Sequence, residues 1–352
     1  VKTTDTGPTR AAQDTTAATP QAFHEVLLAY CGSKTLMSAV EIDLFSTLAD
    51  GKRMTEDELR KQLSLHPRLS RHFLDTLVAL DLLVKDGEHY RNSAVSEQYL
   101  DRAKPTYVGG FAETTNDTFY PAWGKLTKAL RTGQAQAPIP PDDSDHLFRV
   151  NVHTEPDRVR RFMTAMDSHS TAMAGELARL LPWDRFTSFA DIGGCRGNLS
   201  AHLVLAQPHL KGICLDRAQS AQFFDEHMTA LGTTGRVTFQ AGDFFADDLP
   251  RVDVLVFGHV LHDWSPENRV LLMEHAHRAL NPGGMIVVYD RMIDGSPLDL
   301  HRLFYSLTFM LASGGGSEYS VEQCSRWLLD AGFHTPRSHR VLADHSVVVA
   351  QR

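Results

Sequence analysis

From Ala22 onward, apolar residues recur at helical spacing: Phe23, Val26, Leu27 and Tyr30, then Leu36, Val40, Ile42, Leu44, Phe45 and Leu48. Thr55-Glu56-Asp57-Glu58 predicts a capping box that opens a short helix. Pro67 is expected at the start of the next helix, with Leu69, Phe73, Leu74, Leu77, Leu80 and Leu83 on its apolar side. Leu82-Leu83-Val84 and Tyr90-Arg91 flank Asp86-Gly87-Glu88, which predicts a small hairpin. Residues 21–104 thus read as three helices followed by a two-stranded wing. Residues 1–20 carry no apolar period and are expected to be a disordered tail. Residues 105–180 read as mainly helical, with Phe111, Phe119, Trp123, Leu126 and Leu130 at roughly helical spacing. A break is expected at Pro138–Asp143, and a second helix from about Asp157 to Leu181.

The texture changes after residue 181. Short apolar runs (Phe189–Ile192, Leu210–Asp216, Val237–Asp243, Val252–Phe257, Met285–Tyr289) alternate with helical stretches, which predicts a parallel α/β sheet over 181–352. Arg337–Val341 and Ser346–Ala350 flank a turn and predict an antiparallel hairpin at the sheet edge. The chain has 352 residues, which suggests about two domains. No apolar run approaches the roughly 20 residues of a membrane span, so no membrane association is expected. A net charge of −8 disfavours a phosphate backbone as partner. Cys31, Cys195, Cys214 and Cys324 are widely spaced and form neither a disulfide framework nor a zinc pattern. With no signal segment evident, a reducing cytoplasm is the expected location.

Asp191-Ile192-Gly193-Gly194-Cys195-Arg196-Gly197 is a Gly-rich turn between a strand and a helix, a place where backbone can approach a ligand at a helix N-terminus. Asp216 ends the next strand, where a carboxylate can accept from ribose hydroxyls. NAD enzymes share this logic, so the turn alone does not choose the cofactor. Asp243 and Phe244 follow the third strand, where an adenine amine and ring face can meet them.

These segments, with His259-Val260-Leu261-His262-Asp263-Trp264, Pro282-Gly283-Gly284, Gly315-Gly316-Ser317-Glu318 and Phe162–Ser170, resemble the class I S-adenosylmethionine methyltransferases. More narrowly, the chain resembles the O-methyltransferases of plant natural-product, acetylserotonin and bacterial antibiotic-pathway type, over nearly everything after the tail. The resemblance implies a Rossmann-like α/β methyltransferase domain with a C-terminal antiparallel hairpin, preceded by a mainly helical winged-helix dimerisation domain. It implies S-adenosylmethionine as cofactor, released as S-adenosylhomocysteine, and a homodimer in which one N-terminal segment edges the other subunit's pocket. It also implies His262 as general base, with Asp290 and Glu318 orienting it. Residues expected to hold the cofactor are Asp191, Gly193, Gly197, Asp216, Asp243, Phe244, Gly258, His259 and Trp264. Two positions depart from the family: Cys195 stands where Gly is usual, and Asp290 where Glu is usual.

A phenol near pKa 10 facing a histidine near 6.5 leaves a gap costing on the order of 5 kcal/mol. Neighbouring carboxylates favour the imidazolium and narrow that gap. The expected reaction is therefore methylation of a phenolic hydroxyl on a small aromatic metabolite. C-methylation of a ring carbon beside a phenol is one alternative; a cofactor-binding, non-methylating member is another. Phe162, Met166 and His169 share a helix face and are the leading acceptor contacts, joined by Phe119, Trp123 and Thr308. Phe304 and Met310 are placed near the opposite wall. His259 and His262 with Asp263 have metal-ligand spacing, but no third histidine fits a motif, so no metal is expected. The helix after Pro67 carries Arg68 and Arg71 yet is mostly leucine, which favours dimerisation over DNA contact.

Overall fold

The computed structural model describes residues 20–137, 156–294 and 299–352. The tail expected over 1–20 lies outside the described residues except for Pro20, as does the Pro138–Asp143 break. Two compact units result, one ending at Glu97 and the other beginning at Gln98.

The first unit comprises α1 (Pro20–Glu41), α2 (Leu44–Thr47), β1 (Met54–Thr55), α3 (Glu56–Gln62), α4 (Ser70–Ala79), β2 (Leu83–Asp86) and β3 (His89–Asn92), and α5 (Ala94–Tyr99) follows. The Thr55–Glu58 capping box forms with both reciprocal bonds. Helix α4 begins at Ser70, not Pro67. The carbonyl of His66 accepts from the amides of Leu69 and Ser70, and its ring accepts from the Arg68 amide, so a local turn delays the helical ladder. The hairpin forms as β2–β3, and β1 adds a third strand on the outer side of β3. Leu44, Phe45, Leu48, Leu59, Leu74 and Leu77 form the core. Phe23, Val26 and Leu27, at i, i+3 and i+4 of α1, are 65%, 79% and 51% exposed.

The second unit opens with α6 (Gly109–Thr114), a π-helical turn (Thr115–Phe119), α7 (Tyr120–Trp123), α8 (Leu126–Thr132) and α9 (Pro156–Leu180). The π turn puts an extra residue into the helical repeat, so the run from Gly109 to Trp123 is unbroken but its phase shifts between Phe111 and Trp123. There follow β4 (Ser188–Ile192), α10 (Asn198–Ala206), β5 (Lys211–Asp216), α11 (Ala221–Leu231), β6 (Val237–Ala241), β7 (Val254–Gly258), α12 (Pro266–Ala279) and β8 (Met285–Asp290). Then come α13 (Leu300–Ala312), α14 (Val321–Asp330), β9 (His334–Val341) and β10 (His345–Gln351). Strand order is β6-β5-β4-β7-β8-β10-β9, parallel from β6 to β8 and antiparallel at β10 and β9.

Successive side chains alternate between two buried clusters, as a sheet covered on both faces requires. Along β7, Val254 and Val256 join one cluster, Leu255 and Phe257 the other. Along β8, Met285, Val287 and Tyr289 alternate with Ile286 and Val288. The chain leaves β4 toward β5 and β6, then returns to its other side at β7. The carboxyl ends of β4 and β7 therefore flank a topological switch point, where open α/β sheets bind ligands.

Helix α6 lies against α9 through Gly110, whose added Cβ would stand 2.4 Å from the Arg161 carbonyl oxygen. That oxygen is mid-helix backbone and cannot swing aside. Gly110→Ala should therefore destabilise the protein by about 1–3 kcal/mol, seen as a lower urea midpoint. Gly175→Ala, on the same α9 with nothing within 4 Å of the new methyl, should instead stabilise by up to about 1 kcal/mol.

Candidate active site

The turn after β4 holds Gly193, Cys195 and Gly197 at φ 71°, 58° and 75°. A Cβ on Gly193 would meet Val260 at 2.8 Å, and one on Gly197 would meet the Phe224 ring at 2.7 Å. Cys195 accepts the left-handed conformation. Its side chain packs with Val159, Met163 and Phe223, and its amide donates to Asp216 Oδ2 at 2.7 Å. Burial pushes its thiol well above the usual value, so it offers no nucleophile. Asp216 also accepts from the Arg217 amide and the Ser220 hydroxyl, and burial raises its pKa. Asp191 accepts from Ser200, and burial pushes it up to about 7.

A cleft runs over these strand ends, lined by Gly193, Asp216, Asp243, Phe244, His259, Val260, Asp263 and Trp264. An adjoining depression is lined by Asp191, Gly193, Gly258, His259 and Met166. Of the nine expected cofactor residues, Gly197 lines neither; its glycine is required by the turn and by Phe224. Phe244 meets Trp264 edge to face at 5.8 Å.

His262 lies in a short 3-10 turn, Leu261–Asp263, just beyond β7. Its Nδ1 is 3.1 Å from both Asp290 Oδ1 and Glu318 Oε1. The hydrogen bond runs to Glu318; Asp290 Oδ1 makes none and acts through its charge. Tyr319 Oη donates to the other oxygen of Asp290. Glu318 stands before α14, whose own N-cap is Ser320, so it is not a helix-start acid. Phe309 stacks on the imidazole at 4.1 Å and 28°. Burial opposes the imidazolium, but Asp290, Glu318 and Asp263 outweigh it and push His262 up to about 9. Burial holds Asp290 up at about 7 and Asp263 at about 6. With Nδ1–H committed to a carboxylate, Nε2 is the nitrogen left to accept a proton. Asp263 Oδ1 lies 3.8 Å from it.

His259, at φ 55°, carries the backbone strain of a left-handed residue. Its amide donates to the Tyr289 carbonyl, its Nδ1 lies 3.4 Å from Asp290 Oδ1, and its Nε2 pairs with His345 Nε2 at 3.0 Å. His345 Nδ1 pairs with Asp344 at 2.7 Å. Ligand-type atoms of His259, His262 and Asp290 fall within 4.8 Å of one another, and Asp290 Oδ1 faces Nδ1 of both histidines.

Beside this network is a cavity of about 320 Å³. Phe119, Trp123, Phe162, Met166, His169 and Thr308, the six expected acceptor contacts, all line it. His259, His262 and Asp263 form its floor, and His259 and Asp263 also line the neighbouring cleft. Phe304 instead packs edge to face on Trp123 and, like Met310, is about half exposed, outside the cavity lining. Sequence reasoning missed Phe111, Thr115, Arg291, Tyr305 and Phe309 in the lining. The i, i+3, i+4 spacing of Tyr305, Thr308 and Phe309 was the available signal for the last two. His345 and Asp344, brought in by the terminal hairpin, left no local signal.

Residues 24–102 match the O-methyltransferase dimerisation domain, and residues 123–334 match the O-methyltransferase domain. The chain is 44% identical over 330 residues to the tetracenomycin polyketide synthesis 8-O-methyl transferase TcmO of Streptomyces glaucescens, covering 93% of this chain and 95% of that one. It is 38% identical over 317 residues to the N,N-dimethyltransferase OxyT of Streptomyces rimosus, covering 90% and 91%. The solved human N-acetylserotonin methyltransferase in complex with SAM shares the fold at a TM-score of 0.86 and 24% identity, covering 97% and 99%. A domain match over most of the chain and a close relative along nearly its whole length lead to one conclusion: the protein belongs to the O-methyltransferase family.

Proposed function

We propose that the protein methylates a phenolic hydroxyl of an aromatic polyketide-type acceptor, with His262 as general base. The relationship to TcmO supports the acceptor class. The observation that carries the reading is that cofactor cleft and aromatic cavity share His259 and Asp263, with the acid-backed imidazole of His262 at that junction.

S-adenosylmethionine is the methyl donor of this family and supplies an electrophilic methyl on a sulfonium, whose loss leaves a neutral thioether. Asp216 fits its ribose: a carboxylate accepts about four hydrogen bonds, and Cys195, Arg217 and Ser220 use three. Asp243, Phe244 and Trp264 fit its adenine, with one carboxylate and two aromatic rings at the far end of the cleft. Aromatic walls hold the acceptor and exclude water, so alignment does much of the work. His262 Nε2 takes the phenolic proton. The resulting imidazolium is held by Glu318 through Nδ1–H, by the charges of Asp290 and Asp263, and by the face of Phe309. The cysteines are free, which supports a reducing cytoplasm, and no described helix is long and apolar enough to cross a membrane.

OxyT's N,N-dimethyltransferase name favours one second reading, an amine acceptor at the same base. Product NMR with a carbon-13 methyl donor separates the two. A methyl on oxygen is expected; a methyl on nitrogen or carbon overturns the phenol reading.

His262→Ala should lower kcat by about 10²–10⁴ and leave S-adenosylmethionine affinity within about twofold, measured by turnover and calorimetry. The pH behaviour has a definite sign. Only neutral imidazole can accept the proton, and with the group pushed to about 9 only on the order of 1% is neutral at pH 7. The ascending limb of kcat/KM should therefore extend into the alkaline range. Glu318→Gln removes an acid that favours the cation. Histidine NMR of the cofactor-free protein should show His262 titrating lower by about one unit, with the kinetic limb moving the same way.

The dimerisation-domain match supports a homodimer, and we assign its contact to the exposed apolar face of α1. Phe23→Glu with Val26→Glu and Leu27→Glu should shift the protein to monomer in sedimentation velocity.

A further inference from the structure

Arg291 follows Asp290 out of β8 and is 8% exposed. It lines the acceptor cavity, a fixed cation in a wall that is otherwise largely aromatic. Its Nε donates to Asp344 Oδ2 at 2.8 Å, and its guanidinium lies 4.2 Å from the centroid of the Tyr305 ring. Those contacts use one of five N–H donors and one face. Among the described residues, its two amino groups donate to no acceptor.

Asp344 answers the charge only in part. It is 37% exposed, and its other oxygen pairs with His345 at 2.7 Å. The other polar groups on this side are imidazoles. Burial, and then Arg291 itself, favour the neutral forms of His169 and His345; burial, then His262 and Arg291, do the same for His259. The remaining acids, Asp263, Asp290 and Glu318, are gathered around His262. The amino groups open into the cavity, so a guest that displaces their water is penalised unless it brings an anion to them. A forked pair of amino groups on an aromatic wall matches a planar carboxylate attached to an aromatic ring.

We propose that Arg291 is the residue that selects the acceptor, and that the acceptor is a phenolic acid whose carboxylate docks on the Arg291 amino groups while its hydroxyl meets His262. This rests on the methyl-transfer reading above and adds a substrate class to it. A neutral ester of the same phenol covers the two Arg291 amino groups without giving them an anionic acceptor, a mismatch that enzymes reject far more strongly than a missing methylene.

The test uses the full chain with S-adenosylmethionine and a set of hydroxynaphthoic acids paired with their methyl esters. Wild type should prefer acid over ester by about a hundredfold in kcat/KM. Arg291→Gln should bring the acid down to the level of the ester, mainly through KM, and Arg291→Lys should keep part of the preference. Asp344→Asn breaks the ion pair but leaves the guanidinium in the wall, so it should retain the preference. If Arg291 served only structure, both substitutions would act alike. Calorimetric binding in the presence of S-adenosylhomocysteine reads the same preference without turnover, and melting curves check that each variant folds. Equal affinity for acid and ester, or no binding of any of the acids, overturns the proposal. Methylation of acid and ester alike overturns it while leaving methyl transfer to a phenol intact; acid binding without methylation of any phenol counts against the transfer reading alone.

Discussion

The site depends on one buried imidazole facing more acid than it can neutralise. His262 Nδ1 stands equally close to Asp290 and Glu318, and Asp263 covers the other nitrogen. In a dry interior that ratio decides the chemistry. Burial alone would strip the ring of its proton, and the carboxylates reverse the sign. The same field makes the ring more basic and fixes its tautomer, with Nδ1–H toward Glu318 and Nε2 left free beside Asp263. The shorter Asp290 side chain, in place of the family's Glu, still reaches Nδ1 and is steadied by Tyr319.

Topology supplies what the imidazole cannot. The reversal of strand order between β5–β4 and β7 opens the cleft, and the chain leaving β7 delivers His259, His262 and Asp263 within five residues. Two of these face both cleft and cavity, so in the proposed reaction a donor and an acceptor held by different walls would meet at one place. Helices α6, α9 and α13 close the far side of the cavity, and the approach of α6 to α9 at Gly110 holds Phe111 against Phe162 and His169.

Much of this was legible in the sequence because it is local. Strands β4 to β8 announce themselves as short apolar runs, and the capping box at Thr55 is a four-residue signal. Asp216 and the Gly-rich turn are fixed by spacing along one βαβ unit. The helix face of Phe162, Met166 and His169 follows from helical period alone. What was not legible is non-local. Helix α4 starts late because of His66, a competing turn that propensity does not weigh. The π turn at Thr115–Phe119 shifts the phase of a helical pattern that looked continuous. Arg291, His345 and Asp344 meet only because β10 runs antiparallel beside β8, and no spacing between residues 291 and 344 encodes that. Met310 lies outside the cavity because α13 turns it outward, 51% exposed, while Thr308 and Phe309 face in.

Two groups of opposite electrostatic character in the cavity lining explain why orientation need not come from shape. Aromatic walls attract flat molecules with little directional preference, and a multi-ring phenol could lie in such a slot in several registers. Charge breaks that degeneracy. Acids are gathered behind His262, whereas Arg291 lies beside neutral imidazoles and a half-exposed Asp344. A guest with a proton to lose and a carboxylate to anchor fits this field in one sense and is repelled in the reverse one, where its carboxylate would face Asp263. Regiochemistry then follows from the distance between the two groups on the guest. On this proposal, selectivity sits in two side chains that succeed one another in the sequence: Asp290, which helps raise the basicity of His262, and Arg291, which would read the anion.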